Sequence, residues 1–579
     1  MGVCMPGSAW SKWFQGIGRV WRVAIVVISL SLYLVPGIVG REPWKQDEPY
    51  TFGIIQHMTK SGDWIVPTNA GVPFMEKPPL FYWIATGLMR ASSGSLRPAD
   101  GARLATLLSM LITFAAVAAT ARVISGCARW GSRDVTGALL VLAGTIGLVK
   151  HAHDLFTDVG LMGASAVALY ALTKIVLIVD HSSPGRVWVA ASLLGVSTAA
   201  TFMTKGLLMP GVLGLSACSV PTLVRSCRSR RYMAALLIAG GVALPLMLIW
   251  PWLLAERSTS LFETWFWDNN VGRFLGFSVP ELGSDNTLST PVKAVFFFAF
   301  PVGPLALTTI SRVASWRQSG LIVAALVTCT GLVTLCLSAT MRELYLLPLL
   351  PALTPLAADA LPRLPLALQR AWAGLASMVA AVCLSSVWTA WWIMRGPVAQ
   401  HHWLAPLHRW LPLDYELPSR QPVAVLTALA LTIAWIAAQR PIARSGSLRA
   451  AASWAAALTL GWGLAATLVL PWIDDAKSYR GVFERAAHAM TTVIPSGGCV
   501  ILDGFGESEA PMFEFYTKRK VAGAGMPDSG RCSILVVQSP SATPPARLNW
   551  TSFWSGSRPG DNQEHFFLYQ KTGPRPNAS

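Results

Sequence analysis

In a chain with few charges, the charges that cluster are the first candidates for chemistry. Asp47 and Glu48 are adjacent, and Glu76 and Lys77 stand directly before a double proline. His151, His153, Asp154 and Asp158 form a third group, and Lys205 lies between two apolar runs. Glu263, Asp268, Asn270 and Arg273 share one polar stretch, and Arg342, Glu343 and Tyr345 another. A carboxylate can orient a hydroxyl nucleophile or take its proton. Lysine, arginine and tyrosine can hold a phosphate and neutralise it. Each group also has a plainer reading. Asp47–Glu48 before Pro49 suits a helix start, Glu76–Lys77 a surface ion pair of little energetic value, and Lys205 a side chain reaching for lipid headgroups. His151 and His153 are two residues apart, a weak metal signal. No glycine-rich phosphate loop is present, which argues against an ATP-driven pump.

The elements that must position these residues are membrane spans. The chain has 579 residues, 53% hydrophobic and 13% charged. Soluble domains carry about 25% charged residues. Each span needs about 20 apolar residues, and runs this continuous fit helices, not the alternating strands of a barrel. The reading is a polytopic all-α membrane protein. About 13 spans follow from the length rule: Val23–Val39, Arg103–Val123, Val135–Val149, Asp158–Val179, Val187–Met203, Gly206–Val224, Tyr232–Leu254, Val292–Ile310, Leu321–Leu337, Tyr345–Leu361, Trp372–Trp392, Pro422–Ala438 and Ala451–Leu470. Val135–Val149 is the shortest of them.

The net charge of +17 fits positive-inside topology. With the N-terminus inside, where Lys12, Arg19 and Arg22 lie, every short inner loop carries arginine: Arg129 and Arg133, Arg186, the Arg225–Arg231 cluster, Arg312 and Arg317, Arg363 and Arg370, and Arg440 to Arg449. The long loops 41–100, 255–290 and 395–421 then fall outside, as does the tail from Trp472. All the clustered acids and cations named above collect on that outer side. Nucleic-acid binding would need a basic face on a recognisable module, and none occurs.

The division expected is a membrane domain, 1–471, with the first loop 41–100 folded outside, and a small soluble domain, 472–579. In the tail SYRGVFERAAHAMTTVI has helical spacing, and CVILDGF and SILVVQS read as short buried strands of an α/β unit. Asp503, Glu507 and Glu509 follow the first strand, where ligand sites often lie, although a solvated loop is the simpler reading. Seven of the nine cysteines, Cys4 among them, sit in or beside apolar segments. Cys499 and Cys532 lie in the polar tail, where an extracytoplasmic location permits a disulfide.

Four stretches carry a resemblance. They are DEPYTFGIIQHMTKSGDWIVPTNAGVPFMEKPPLFYW (47–83), LFTDVGLM around Asp158, LMLIWPWLLAE through FWDNNVGRFL (246–275) and SATMRELYLLPLLPALTPLAA (338–358), with TKGLLMPG at 204–211 in support. They are similar to the acid-led first loop, the second acidic loop, the GRF loop and the RELYLLPL turn of the polyprenol-phosphate-sugar-dependent glycosyltransferases of the GT-C fold. The nearest branch is that of the bacterial aminoarabinose (lipid A) transferases and their protein-mannosyltransferase-like relatives. The resemblance implies an inverting transfer of a sugar from undecaprenyl phosphate to a membrane-borne acceptor, a lipid A-like glycolipid or another glycan or protein. The reaction would take place at the outer face of the bacterial inner membrane.

Carried over by position, Asp47 would be the main catalytic acid, with Glu48 and Asp158 beside it. Lys77, Tyr345 and Arg342 would hold the lipid phosphate, with Glu76, Lys205 and Arg273 in support. Two residues depart from the pattern: Met341 replaces the lysine before RELY, and Asn270 replaces the histidine of the GRF loop. Where that histidine and the Glu76 position share a divalent metal, Asn270 leaves the set incomplete, so a metal there stays open and no other cofactor is implied. A transporter or flippase of a lipid-linked saccharide is the competing class. It would show inverted repeats and midplane helix breaks, and the sequence shows neither.

Overall fold

Long apolar runs close their backbone hydrogen bonds as helices because lipid offers none in exchange. The computed structural model describes residues 19–127, 129–278, 287, 289–312, 316–395, 415, 421–493, 498–523, 532–559, 561 and 563–572. Cys4, Lys12, the middle of the 255–290 and 395–421 loops and the end of the tail lie outside them. Each of the expected spans falls on helix, but they are not equivalent. Among the described residues 9 helices are long and apolar enough to cross a membrane alone. Two apolar helices, Ala24–Leu34 and Leu208–Leu223, are shorter. Ser289–Phe298 and Val302–Ile310 form one pair bent by 105°. The expected Val135–Val149 span is broken into Arg133–Ala143 and Ile146–His151.

The two breaks support each other. Pro301 has no N–H to continue its helix, and the carbonyl of Phe300 accepts instead from Ile146 N at 3.0 Å. Gly144, at the other break, gives its carbonyl to Trp454 Nε1 at 2.7 Å. A Cβ on Gly144 would lie 2.8 Å from that indole ring, so only glycine fits there. Both of these carbonyls thus find a partner, as burial requires.

The first loop folds into helices Asp47–Ser61 and Leu80–Ala91 joined by a two-stranded hairpin, β1 (Thr68–Asn69) and β2 (Val72–Pro73). The tail forms β3 (Val500–Asp503), β4 (Val521–Gly523), β5 (Ile534–Ser539), β6 (Trp550–Ser557) and β7 (His565–Lys571) in the order β4-β3-β5-β7-β6. The β4-β3-β5 side is parallel and the β5-β7-β6 side antiparallel. Both tail strands expected from the sequence are β3 and β5, and the expected helix is Arg480–Thr491. The last span runs unbroken from Gly446 to Lys477 into this domain. Loop and tail share one apolar core, in which Phe52, Met58 and Tyr82 pack with Phe483, Phe513 and Phe566.

Cys499 and Cys532 form a disulfide beside the β3–β5 pair and close a separation of 33 residues. Loop-closure entropy for that length is worth roughly 3–4 kcal/mol. Cys499→Ser with Cys532→Ser should therefore lower the melting temperature of the purified protein, read by tryptophan fluorescence. The same Tm in both proteins would show that the bridge adds nothing.

Candidate active site

Asp47 and Glu48 are the first two residues of one helix, and successive helical side chains point about 100° apart. Their environments diverge accordingly. Glu48 is 3% exposed. It accepts from Arg103 Nε at 3.0 Å, Arg41 Nη2 at 2.9 Å, the Leu155 amide at 2.8 Å and the Trp44 amide at 3.0 Å. Its second oxygen also pairs with Arg41 Nη1. Arg41 reaches on to the His153 carbonyl at 2.9 Å. Glu48 was expected among the catalytic acids. It does not line the cavity described next, because both of its oxygens are already taken.

Asp47 faces a cavity of about 1040 Å³ between the first loop, the membrane helices and the tail. Its Oδ1 lies 3.3 Å from the Tyr50 hydroxyl, which takes a hydrogen bond from Lys77 Nζ at 2.5 Å. Tyr50 is thus a bridge: it accepts from the lysine and can donate to the aspartate. Burial, then the charges of Asp47 and Glu76, push its pKa well up, so the phenol stays protonated. Lys77 also sits 4.8 Å over the Tyr50 ring and 3.8 Å from Glu76. Burial alone would lower the Lys77 pKa, but Glu76 together with Tyr82, Asp47 and Asp158 outweighs it and the ammonium is held charged. Glu76 pairs in turn with Arg273 Nη1 at 3.4 Å.

Asp158 begins the helix Thr157–Ile178 and pairs with Lys205, at the end of Pro184–Lys205. Lys205 lies 4.3 Å over the Tyr345 ring. Arg342 donates to Gln46 Oε1 at 3.0 Å. The cavity therefore brings together Asp47, Glu76, Lys77, Asp158, Lys205, Arg273, Arg342 and Tyr345. Its other end is apolar, lined by Leu208, Val212 and Leu215 of one helix and Leu335 of Ser319–Leu337. Leu215 and Leu337 beside it are 61% and 71% exposed, which on helices of this kind means that they face lipid. The site is amphipathic, with charge at one end and a greasy mouth at the other.

The tail adds residues for which a solvated loop was the simpler reading. Gly504, Glu507, Ser508 and Glu509 line the same cavity. Burial, then Glu76, raises the pKa of Glu507, while Lys77 works against the rise. Asn69 Nδ2 donates to the Glu507 carbonyl at 2.8 Å and Ser508 Oγ to the Gln46 carbonyl at 2.7 Å, so this loop is tied to the first loop at two points. Its position after a strand was the available signal. Asp503, in contrast, pairs with Arg547 and does not line the cavity. Tyr50 and Gln46 carried no signal apart from their place beside the acid pair.

No group of three metal-ligating side chains occurs among the described residues. The Asn270 position fits a metal poorly. Its Nδ2 donates to the Trp265 carbonyl at 2.8 Å, and its Oδ1 is the nearest atom to Gly206, 2.1 Å from where a Cβ would stand. Glu76, the other expected ligand, is already neutralised by Arg273 and Lys77. Met341, the other departure, is fully buried in the membrane core.

No protein-family model matches the chain. In sequence it is similar to the undecaprenyl phosphate-α-4-amino-4-deoxy-L-arabinose arabinosyl transferases. With that of Serratia proteamaculans it shares 26% identity over 307 residues, 52% of this chain and 50% of the relative. With that of Edwardsiella ictaluri it shares 27% over 286 residues, 48% and 46%. The chain thus spans about half the length of the curated relatives it matches. In structure it is similar to ArnT from Cupriavidus metallidurans bound to undecaprenyl phosphate. The TM-score is 0.67 at 19% identity, covering 95% of this chain and 98% of that one. The chain has the GT-C fold. With these spans it is a multi-pass membrane protein, its charged cavity roofed by the first loop and the tail.

Proposed function

We propose that this chain is an inverting glycosyltransferase that takes a sugar from undecaprenyl phosphate and moves it to an acceptor in the bacterial envelope. The observation that carries the reading is the amphipathic cavity, whose apolar mouth between two membrane helices leads to a chamber lined by Lys77, Arg273 and Lys205. A polyprenyl chain suits the mouth and its phosphate suits the cations. The site faces the outside, with the N-terminus in the cytoplasm and the tail in the periplasm of the inner membrane. The first donor to test is undecaprenyl phosphate-α-4-amino-4-deoxy-L-arabinose, the sugar named for the relatives. The acceptor is membrane-borne, a lipid A-like glycolipid or another glycan or protein.

In the transfer the bond from the anomeric carbon to the phosphate oxygen breaks, and its electron pair leaves with undecaprenyl phosphate. Lys77 and Arg273, with Tyr345 and Arg342, stabilise that charge as it develops. A bond from the acceptor oxygen to the opposite face of the anomeric carbon forms. If the acceptor is a hydroxyl, its proton passes to Asp47; if it is an ionised phosphate, Asp47 orients it. Lys205 holds Asp158 beside the reacting centre. The test is mass spectrometry of envelope lipids, glycans and proteins from cells with and without the chain. A sugar mass added to one acceptor supports the reading. Unchanged glycoconjugates with an altered leaflet distribution of the donor would replace it with transport.

Lys77→Met should weaken binding of undecaprenyl phosphate about 10- to 100-fold, the worth of one charged hydrogen bond to a phosphate. Binding to the purified protein checks this, and unchanged affinity would remove Lys77 from the phosphate site.

A further inference from the structure

Lys45 stands two residues before Asp47, and Glu509 two residues after Glu507. Lys45 Nζ pairs with Glu509 Oε1 at 2.8 Å and also with Glu564. Between these positions, Ser508 Oγ donates to the Gln46 carbonyl at 2.7 Å. The segment that carries one cavity carboxylate is therefore bonded twice to the segment that carries the other. Behind the clasp, Glu564 accepts from Arg558 Nη2 at 2.8 Å and Nε at 3.1 Å. Arg558 is itself fixed by the Lys477 carbonyl at 3.0 Å. The Tyr479 hydroxyl lies 3.0 Å from Glu509 and 3.1 Å from Glu564, but has one hydrogen for the two. Both carboxylates are buried, and while Glu564 already has Arg558, Lys45 supplies the cation that Glu509 needs. Gly506 packs against the same group: a Cβ there would be 2.7 Å from Glu509 Oε2.

We propose that Lys45 is a positioning residue for sugar transfer: by clasping Glu509 and Glu564 it sets Asp47 and Glu507 at their working separation across the cavity. This rests on the glycosyltransferase reading above. Lys45 touches the cavity, but its ammonium is committed to two carboxylates, so it does not serve as a phosphate ligand. Displacing a reacting group by about 1 Å costs about 100-fold in rate. Loss of the clasp should act on kcat and leave donor binding alone.

The test uses the full-length protein in detergent. The donor is undecaprenyl phosphate-α-4-amino-4-deoxy-L-arabinose, and undecaprenyl phosphate is the binding probe. Lys45→Met should lower kcat about 10- to 100-fold with unchanged donor KM and unchanged undecaprenyl phosphate affinity. Lys45→Arg, which keeps the charge and can reach both carboxylates, should recover most of kcat. Ser508→Ala leaves every charge in place and should lower kcat about threefold or more, the worth of one neutral hydrogen bond; it decides the matter if Lys45→Met does not fold. Wild-type kcat in Lys45→Met, or in Ser508→Ala when Lys45→Met is lost, overturns the proposal. Weaker undecaprenyl phosphate binding in Lys45→Met overturns it as well, because Lys45 would then be a phosphate ligand. Transfer by no variant and not by the unaltered chain would instead defeat the glycosyltransferase reading.

Discussion

Asp47→Asn is expected to stop sugar transfer without disturbing the protein. The substitution keeps the size of the side chain and an oxygen that can still accept from Tyr50. It removes the negative charge and the ability to take a proton. Loss of a general base costs about 10²- to 10⁴-fold in rate. Lys77, Arg273 and the apolar mouth are untouched, so undecaprenyl phosphate should bind as before. The measurement is a pair: kcat with the lipid-linked donor, and affinity for undecaprenyl phosphate. A kcat within a few-fold of wild type would take Asp47 out of the chemistry.

Glu48→Gln, one residue on, is expected to fail in a different way. Arg41 and Arg103 are both fully buried, and Glu48 is the carboxylate they share. Breaking a buried ion pair by removing one partner costs about 3–5 kcal/mol. That is a large part of what holds a typical domain together. The variant should accumulate poorly, and activity should fall in proportion to folded protein. Normal accumulation with lost activity would move Glu48 from the scaffold into the reaction. Burial alone would raise the Glu48 pKa, but Arg103 and Arg41 outweigh it and hold it at about 2, against an ordinary value of 4.5. For a depressed pKa the stabilising effect is complete above the ordinary value and fades as pH falls through the lower one. The knot's contribution should therefore begin to shrink below about pH 4.5 and be gone near pH 2, which tryptophan fluorescence during acid titration can follow.

The contrast between these neighbours shows what was legible in the sequence. An acid pair beside a proline announced a special position, and the apolar runs announced helices around it. Which acid did which task depended on Arg103 and the Leu155 amide, brought in from well beyond the pair. The helix break at Gly144 was hidden for the same reason. Gly144 ends its helix because Trp454 lies 310 positions away in sequence and close in space. A length rule sees an apolar run and cannot see the indole that interrupts it. Glu507 followed a strand, a pattern shared by many solvated loops, and only the fold closes that loop over the cavity. Lys45 gave no signal in the sequence because both of its acidic partners belong to the tail.

The core shared by the first loop and the tail has a consequence for biogenesis. The Gln46 carbonyl and the Ser508 hydroxyl that closes on it are 462 positions apart. During synthesis the first loop is made early, and its apolar residues Phe52 and Met58 wait uncovered until the tail has been made. The chamber is therefore completed last. A chain that stops after its final span has every expected charge of the first loop and of the membrane turns, and no roof. A fragment cut there would lack the Glu507, Ser508 and Glu509 side of the cavity wall.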